Sequence, residues 1–514
     1  MNRRIVFIVP LLAGLLAAPP AAWALGGKPA ADRKTVVVAI AGDIGNLDPQ
    51  VSVTPDSARS GWQLFDTLYG FDIDGNLEPR LATGYQISAD GLRYTFKLRG
   101  GVKFHDGSSF GAKDVKFSIE RILKPETKST RRPYFAGLVE GVDTPDEQTA
   151  VFRLSRRDGA FINKVAGYLY VLPKAYTEAL PSPEAFALKP VGTGPYRLTS
   201  RTVGQRLDFE RFDGYYGPRP EIERLVFRVV PEPSSRVNAL LAGEVDIADD
   251  LPAAELARLR KTPGLEVKSG QTGSPLHVRL YSNVPGTPLA KREVRLALNH
   301  ALDTDALIKN VLHGSGAPLT SFISSAYPYG SLKGKGNPYG YDPAKAKKLL
   351  ADAGYPKGID LDVFCYAIYE RSLCEAVVAY WSQVGIRAKL KIIDGAAFSR
   401  LDNNHQSGPA NFSQFANAIY DPVHPVAGGA SKDGTWSDYF NPQVEELLKQ
   451  LEGEAERAKR DALFQKIAHI LNEDAFDVLL SEQFFNVGKD SALEWEPQRG
   501  GKFYNFRQVR WKLD

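Results

Sequence analysis

Residues 81–107 read LATGYQISADGLRYTFKLRGGVKFHDG, and the order of turns and alternating segments in this stretch decides how the remaining chain is read. Ala89-Asp90-Gly91 is a turn tripeptide. Tyr94 to Leu98 alternates apolar and polar side chains, the period of a half-buried strand. Gly100-Gly101 breaks that strand, and His105-Asp106-Gly107 turns the chain towards a helix at 112–123, where Val115, Ile119 and Ile122 recur at helical spacing. These residues form no catalytic constellation. They specify a scaffold.

Working outward, strand patterns occupy 35–40, 93–98, 149–154, 206–212 and 224–230, with helices between them. A helix at 235–243 leads into a short buried-type strand at 245–247. Residues 276–282 read as a strand, and 291–302 as a helix with Val294, Leu298 and Leu302 on one face. Asp342 is a good N-cap with Pro343 in the first turn, and Gly354 with Pro356 ends that helix. Residues 361–366, a helix to Val384, and 387–393 read as a β-α-β unit. Amphipathic helices at 442–451 and 456–471, a strand at 478–487 and an aromatic tail from Trp495 to Trp511 complete the chain. Strands and helices mix throughout without internal repeats, so the fold class is α/β.

Four further pieces stand in order around the opening stretch. They are Val191-Gly192-Thr193-Gly194-Pro195-Tyr196, the corner from Leu240 to Asp246, the helix at 291–302 and the run from Trp436 to Leu448. Together they resemble the bacterial extracellular solute-binding proteins of family 5, which serve peptide, nickel and related ABC importers, and the resemblance covers nearly the whole chain. It implies a two-lobed periplasmic binding protein with a ligand cleft between α/β lobes. Residues 25–280 would form the first part of lobe I, 281–483 lobe II, and 484–514 the return to lobe I. The crossings would lie near 279–283 and 482–486. It also implies a small-molecule or peptide ligand captured by lobe closure. Delivery would be to an inner-membrane ABC permease with its ATPase subunits, because the chain carries no P-loop. A monomer without cofactor, metal or catalytic residues follows from the same likeness.

Composition agrees with an exported globular binder. The 514 residues are 43% hydrophobic and 24% charged, with 22 Tyr, 26 Phe and a single Met. A formal charge of +4 argues against nucleic-acid partners or an anionic membrane surface. Residues 1–24 combine Arg3-Arg4, an apolar run and Ala22-Trp23-Ala24, the pattern of a cleaved signal peptide, which places the mature chain from Leu25 in the periplasm. Pro10 and Pro19-Pro20 argue against an uncleaved anchor. Export permits a Cys365–Cys374 disulfide, and two buried thiols remain the alternative.

The candidate ligand-binding residues are Asn46 and Trp62 in lobe I, and Tyr366, Tyr369, Arg371, Phe415, Asn417, Tyr420 and Trp436 in lobe II. Peptide-binding relatives hold the peptide's amino group with an aspartate in a motif ending in Asp-Pro. Aligned on Asp421-Pro422, that aspartate is Ala418 here and a motif tryptophan is Phe415. A buried ammonium without a carboxylate is costly, so an opine-like conjugate or sugar-like solute stands beside a short peptide, with nickel or haem as further alternatives. Arg371 offers a two-pronged grip on a carboxylate. His105 lies inside the scaffold stretch and reads as fixing its turn, while His405 and His424 are dispersed. There is no G-x-S-x-G elbow, which leaves an exported hydrolase with a carboxylate pair as the outside reading.

Overall fold

The computed structural model describes residues 33–51, 55–332, 334, 336–402, 404–415, 418–500 and 504–512. The leader read at 1–24 and the candidate Asn417 lie outside the described residues. None of the described helices is long and apolar enough to cross a membrane.

One twelve-stranded sheet joins two lobes. From one edge it runs Ile386–Ile393, Ile359–Tyr366, Ala410–Gln414, Leu276–Leu280 and Val478–Asp490, then Ile247–Ala248, Thr35–Ile40, Arg224–Val229, Arg206–Arg211 and Tyr196–Thr202. The strand Val478–Asp490 is shared between the lobes. Its first residues pair with Leu276, His277 and Val278, whereas Phe484 to Asp490 pair with Leu265–Gln271. Leu265–Gln271 and Leu276–Leu280 thus lie beside successive parts of that one strand. The Thr272 N–H donates to the Gln483 carbonyl at 2.8 Å.

The expected first crossing, near 279–283, begins at the end of the strand Leu276–Leu280. Leu276–Leu280 hydrogen-bonds along its length to Ala410–Gln414, inside the second lobe's sheet. All five of its residues are buried, so it lacks the alternation that would have revealed its neighbours.

Each lobe has its own apolar interior. In the first, a four-stranded sheet of Ala82–Ile87, Arg93–Leu98, Thr149–Leu154 and Val139–Asp146 packs around Phe96, Phe104, Phe152 and Phe161. Beside it, Val36, Val38, Phe209 and Phe227 pack with Phe485, Trp495 and Phe506 of the returning C-terminus. The second lobe buries Val278, Val363, Trp381 and Phe412 in one core, and Phe322, Phe464, Ile467 and Phe476 in another. Cys365 and Cys374 are disulfide-bonded, tying the end of Ile359–Tyr366 to the first turn of the helix Arg371–Ser382.

The opening stretch is anchored to a distant turn. His105 Nδ1 accepts the Gly192 N–H at 3.3 Å, and its Nε2–H donates to the Gly194 carbonyl at 3.0 Å. Burial holds that imidazole down at about 4, neutral at ordinary pH. A Cβ on Gly192 or Gly194 would overlap the backbone of residues 63–64, so the two glycines let the helix Pro55–Leu64, which carries Trp62, seat on this turn.

Candidate binding cleft between the lobes

Ile359–Tyr366 runs parallel to both Ile386–Ile393 and Ala410–Gln414. Their carboxyl ends share one edge of the second lobe, where ligands of open α/β sheets tend to sit. Phe415 follows Gln414 at that edge, and Tyr420 precedes the helix Val423–Ala430.

A run of rings passes from one lobe to the other. The Trp62 indole donates to the Tyr170 hydroxyl. Tyr170, Tyr168 and Tyr134 surround Arg131, whose guanidinium lies 4.9 Å over the Tyr168 ring. Tyr168 stacks on Tyr134 at 4.3 Å, and Tyr134 meets His424 of the second lobe at 5.4 Å. His424 contacts Trp436 at 5.6 Å, Trp436 contacts Phe415 at 5.1 Å, and Phe415 contacts His277 at 5.2 Å. Aromatic faces with polar tips on both walls suit a solute that is part apolar and part polar. A cavity of about 630 Å³ opens at the crossings, lined from both lobes by Asn76, Gln271, Ser325, Tyr327, Phe485 and Arg499.

Arg131 and Lys164 are cations beside this run, while His424 is neutral at ordinary pH. Burial lowers the Arg131 guanidinium from its usual value. Burial also lowers His424 to about 4, helped by the Lys164 ammonium. Lys164 itself pairs with Asp158. The nearby carboxylates are engaged within the protein. Asp421 receives Arg460 through Nη2 at 2.7 Å and Nε at 3.1 Å, as well as the Tyr329 hydroxyl at 2.5 Å. Glu482, at a crossing, accepts from the Ser324 hydroxyl and the Ser325 N–H, both at 2.7 Å, and burial raises its carboxyl. Among the described residues no group of three or more His, Cys, Asp or Glu side chains could hold a metal ion.

The structure brings Trp62, Phe415 and Trp436 into this run, whereas the Tyr420 ring is buried outside it, against Phe71. Tyr366 and Tyr369 lie at the same sheet edge and are engaged by residues of their own lobe. Tyr366 stacks on Phe398 at 4.9 Å, and the Tyr369 hydroxyl takes the backbone N–H of Gln414. Arg371 stands in solvent, paired with Glu375 one helical turn on at 2.8 Å. Asn46 caps its own turn by accepting the Asp48 N–H at 2.8 Å. Sequence reasoning missed Arg131, Tyr134, Tyr168 and Tyr170, and set His424 aside, because only tertiary contact joins them. Tyr168 and Tyr170, two residues apart, were the one local hint.

A larger cavity of about 950 Å³ lies in the first lobe, away from the ring run. Its charged lining is paired internally, as in Lys268 with Glu496, Lys489 with Glu266 and Arg510 with Glu494.

The family model described as bacterial extracellular solute-binding proteins, family 5 middle, matches residues 76–435. The glutathione-binding protein GsiB of Pectobacterium atrosepticum is 28% identical over 500 residues, covering 94% of this chain and 93% of its own. The dipeptide-binding protein of Escherichia coli is 29% identical across 86% of this chain and 88% of its own. Among solved structures, the periplasmic binding protein DppA from Helicobacter pylori in complex with the peptide STSA aligns with a TM-score of 0.80 at 26% identity, covering 93% of this chain and 98% of that one.

Proposed function

The chain belongs to the bacterial extracellular solute-binding proteins of family 5, and from that premise we propose that it encloses a carboxylate-bearing, peptide-type solute along the run from Trp62 to Phe415. It is the substrate-binding component of an ABC importer, and its partner is the membrane permease. The observation that carries the ligand proposal is the ring run itself. A solute lying on it touches both walls, and so favours the closed form by its differential affinity for that form. Arg131 supplies a desolvated cation, and a carboxylate placed beside it would make a charge-assisted bond. Ala418 offers no carboxylate for a solute ammonium, so the anionic end of the solute carries more of the recognition than its amine.

We divide the chain at the paired crossings, with residues 25–271 and 484–514 in lobe I and 276–480 in lobe II. Cleavage of the leader after Ala24 and a monomeric state complete the proposal. Thermal unfolding with reduced glutathione, a dipeptide panel and the corresponding carboxyl-amidated dipeptides tests it. At about a hundred times Kd, a true ligand adds about 2.7 kcal/mol of stability, a rise of about 3 °C in Tm for a chain of this length. Amidation should abolish most of that shift, and the solute should be recovered unchanged. Consumption of a solute without any rise in Tm would instead support the hydrolase reading.

A further inference from the structure

We propose that Tyr420 is a closure latch: a side chain mounted on the second lobe that plugs a socket in the first and biases the lobes towards contact before any solute arrives. The proposal rests on the reading that the lobes open and close, but not on which solute they hold.

Tyr420 belongs by sequence to the second lobe, yet its ring is wholly buried among the side chains of the first. It lies 4.7 Å from Phe71. Two glycines form the sides of the socket, Gly75 and Gly500, with φ of +81° and +73°. A Cβ on Gly500 would come within 2.7 Å of the Tyr420 ring, and one on Gly75 closer still. The socket thus fits an aromatic ring because side chains are missing from its walls. At its floor the Tyr420 hydroxyl donates to the Arg499 carbonyl at 2.8 Å. Burial keeps that hydroxyl protonated, so it remains a donor.

The mount on the second lobe is rigid. Tyr420 itself has φ of +50°, a left-handed conformation that a tyrosine keeps only when its surroundings over-determine it. The next residue, Asp421, is clamped by Arg460 and Tyr329, and its Oδ1 takes the Val423 N–H at 2.8 Å. Just before the plug, the Ile419 carbonyl accepts from Asn163 Nδ2 of the first lobe at 2.8 Å. Gly167 lets the helix Phe161–Tyr168 approach the Ala418 carbonyl. A second cross-lobe bond, Arg457 Nη1 to Asn76 Oδ1 at 2.8 Å, closes the same side. A ring enclosed by Phe71, Gly75 and Gly500 has no face left for a solute. Tyr420 therefore acts on binding through closure, as a positioning residue.

The test is a double-mutant cycle on solute-free protein, read by small-angle scattering and by hydrogen exchange at the amides of 418–424. Y420A empties the socket, and G75A fills it from the other side. Each single change should raise the radius of gyration and speed exchange in that segment by about tenfold. In the Y420A background, G75A should add little, because the ring it would strike is gone. The strain of placing alanine at positive φ is common to both backgrounds and cancels. Protection of Thr35–Ile40 and Ile359–Tyr366 should persist, reporting that each lobe stays folded. Y420F, which keeps the plug and loses only the Arg499 bond, guards against a folding failure and should give a smaller, severalfold increase in exchange. Unchanged radius and exchange in Y420A or Y420F, or a G75A effect of equal size in both backgrounds, would overturn the latch. Failure of every solute in the thermal screen would leave the latch standing, because this cycle uses none.

Discussion

Arg460→Ala is expected to lower the unfolding free energy by about 3–5 kcal/mol, measured as a fall in the urea midpoint of the second lobe. Arg460 sits buried on the helix Arg457–Glu473 and uses both ends of its guanidinium. One side grips Asp421 in two-pronged fashion, and Nη1 donates to the carbonyls of Leu451 and Glu454 at 2.9 Å each. Truncation leaves the fully buried Asp421 carboxylate without its cation and takes a donor from each of two carbonyls. Gly159 of the first lobe packs directly against Glu454 and Arg460, so the damage reaches the contact between lobes as well. Asp421→Asn should also destabilise, and the double variant should cost less than the two single losses added together, because the pair fails as a unit. A loss below about 1 kcal/mol for R460A, the size of an ordinary surface pair, would show that the clamp contributes little.

Solute affinity is expected to fall as the pH drops from 6.5 to 4, by on the order of a hundredfold, through His424. In the closed form this imidazole is pressed between Tyr134 and Trp436. Burial, and then Lys164, bring it down to about 4 from an ordinary 6.5. If opening restores the ordinary value, the open form binds more protons throughout the interval between the two. Closure is therefore fully supported above pH 6.5, loses about 1.4 kcal/mol for each pH unit below it, and levels off near pH 4, for a total of about 3 kcal/mol. His105 and His277 are also depressed by burial, to about 4 and about 3. Each lies inside one lobe, so they bear on unfolding rather than on closure. Titration calorimetry across this range should show the slope in the wild type and a flattened profile in H424Q. The same slope in H424Q would assign the effect to other groups.

Much of the scaffold was legible because its cues are local. The helix Ala112–Leu123 and the strand Arg93–Leu98 carry their periodicities within a dozen residues, and the Asp342 N-cap accepts the Lys345 N–H as its position suggested. Leu276–Leu280 was recognised as a strand, but its partners were not legible, since a strand buried on both faces says nothing about them. His105 read as fixing its own turn; it also ties that turn to Gly192 and Gly194, a long-range bond without sequence trace. The site was the least legible. Arg371 had the right chemistry at a helix start but meets its own Glu375 in solvent. Arg131 and Tyr134 sit at the two ends of the single-turn 3-10 helix Arg132–Tyr134 and acquire significance only where Tyr168 and His424 approach them. Tyr420 was read as a ligand contact from its place in the motif, and its burial in the opposite lobe could come only from packing.

The claim that a solute is held between the lobes, on the rings from Trp62 to Phe415, is tested most directly by hydrogen exchange with and without the solute that gives the largest thermal shift. Protection is predicted on both walls together, around Trp62, 131–134 and 168–170 in one lobe and around 415–436 in the other. Protection confined to one lobe, or gathered around the cavity lined by Lys489, Trp495 and Arg510, would contradict it.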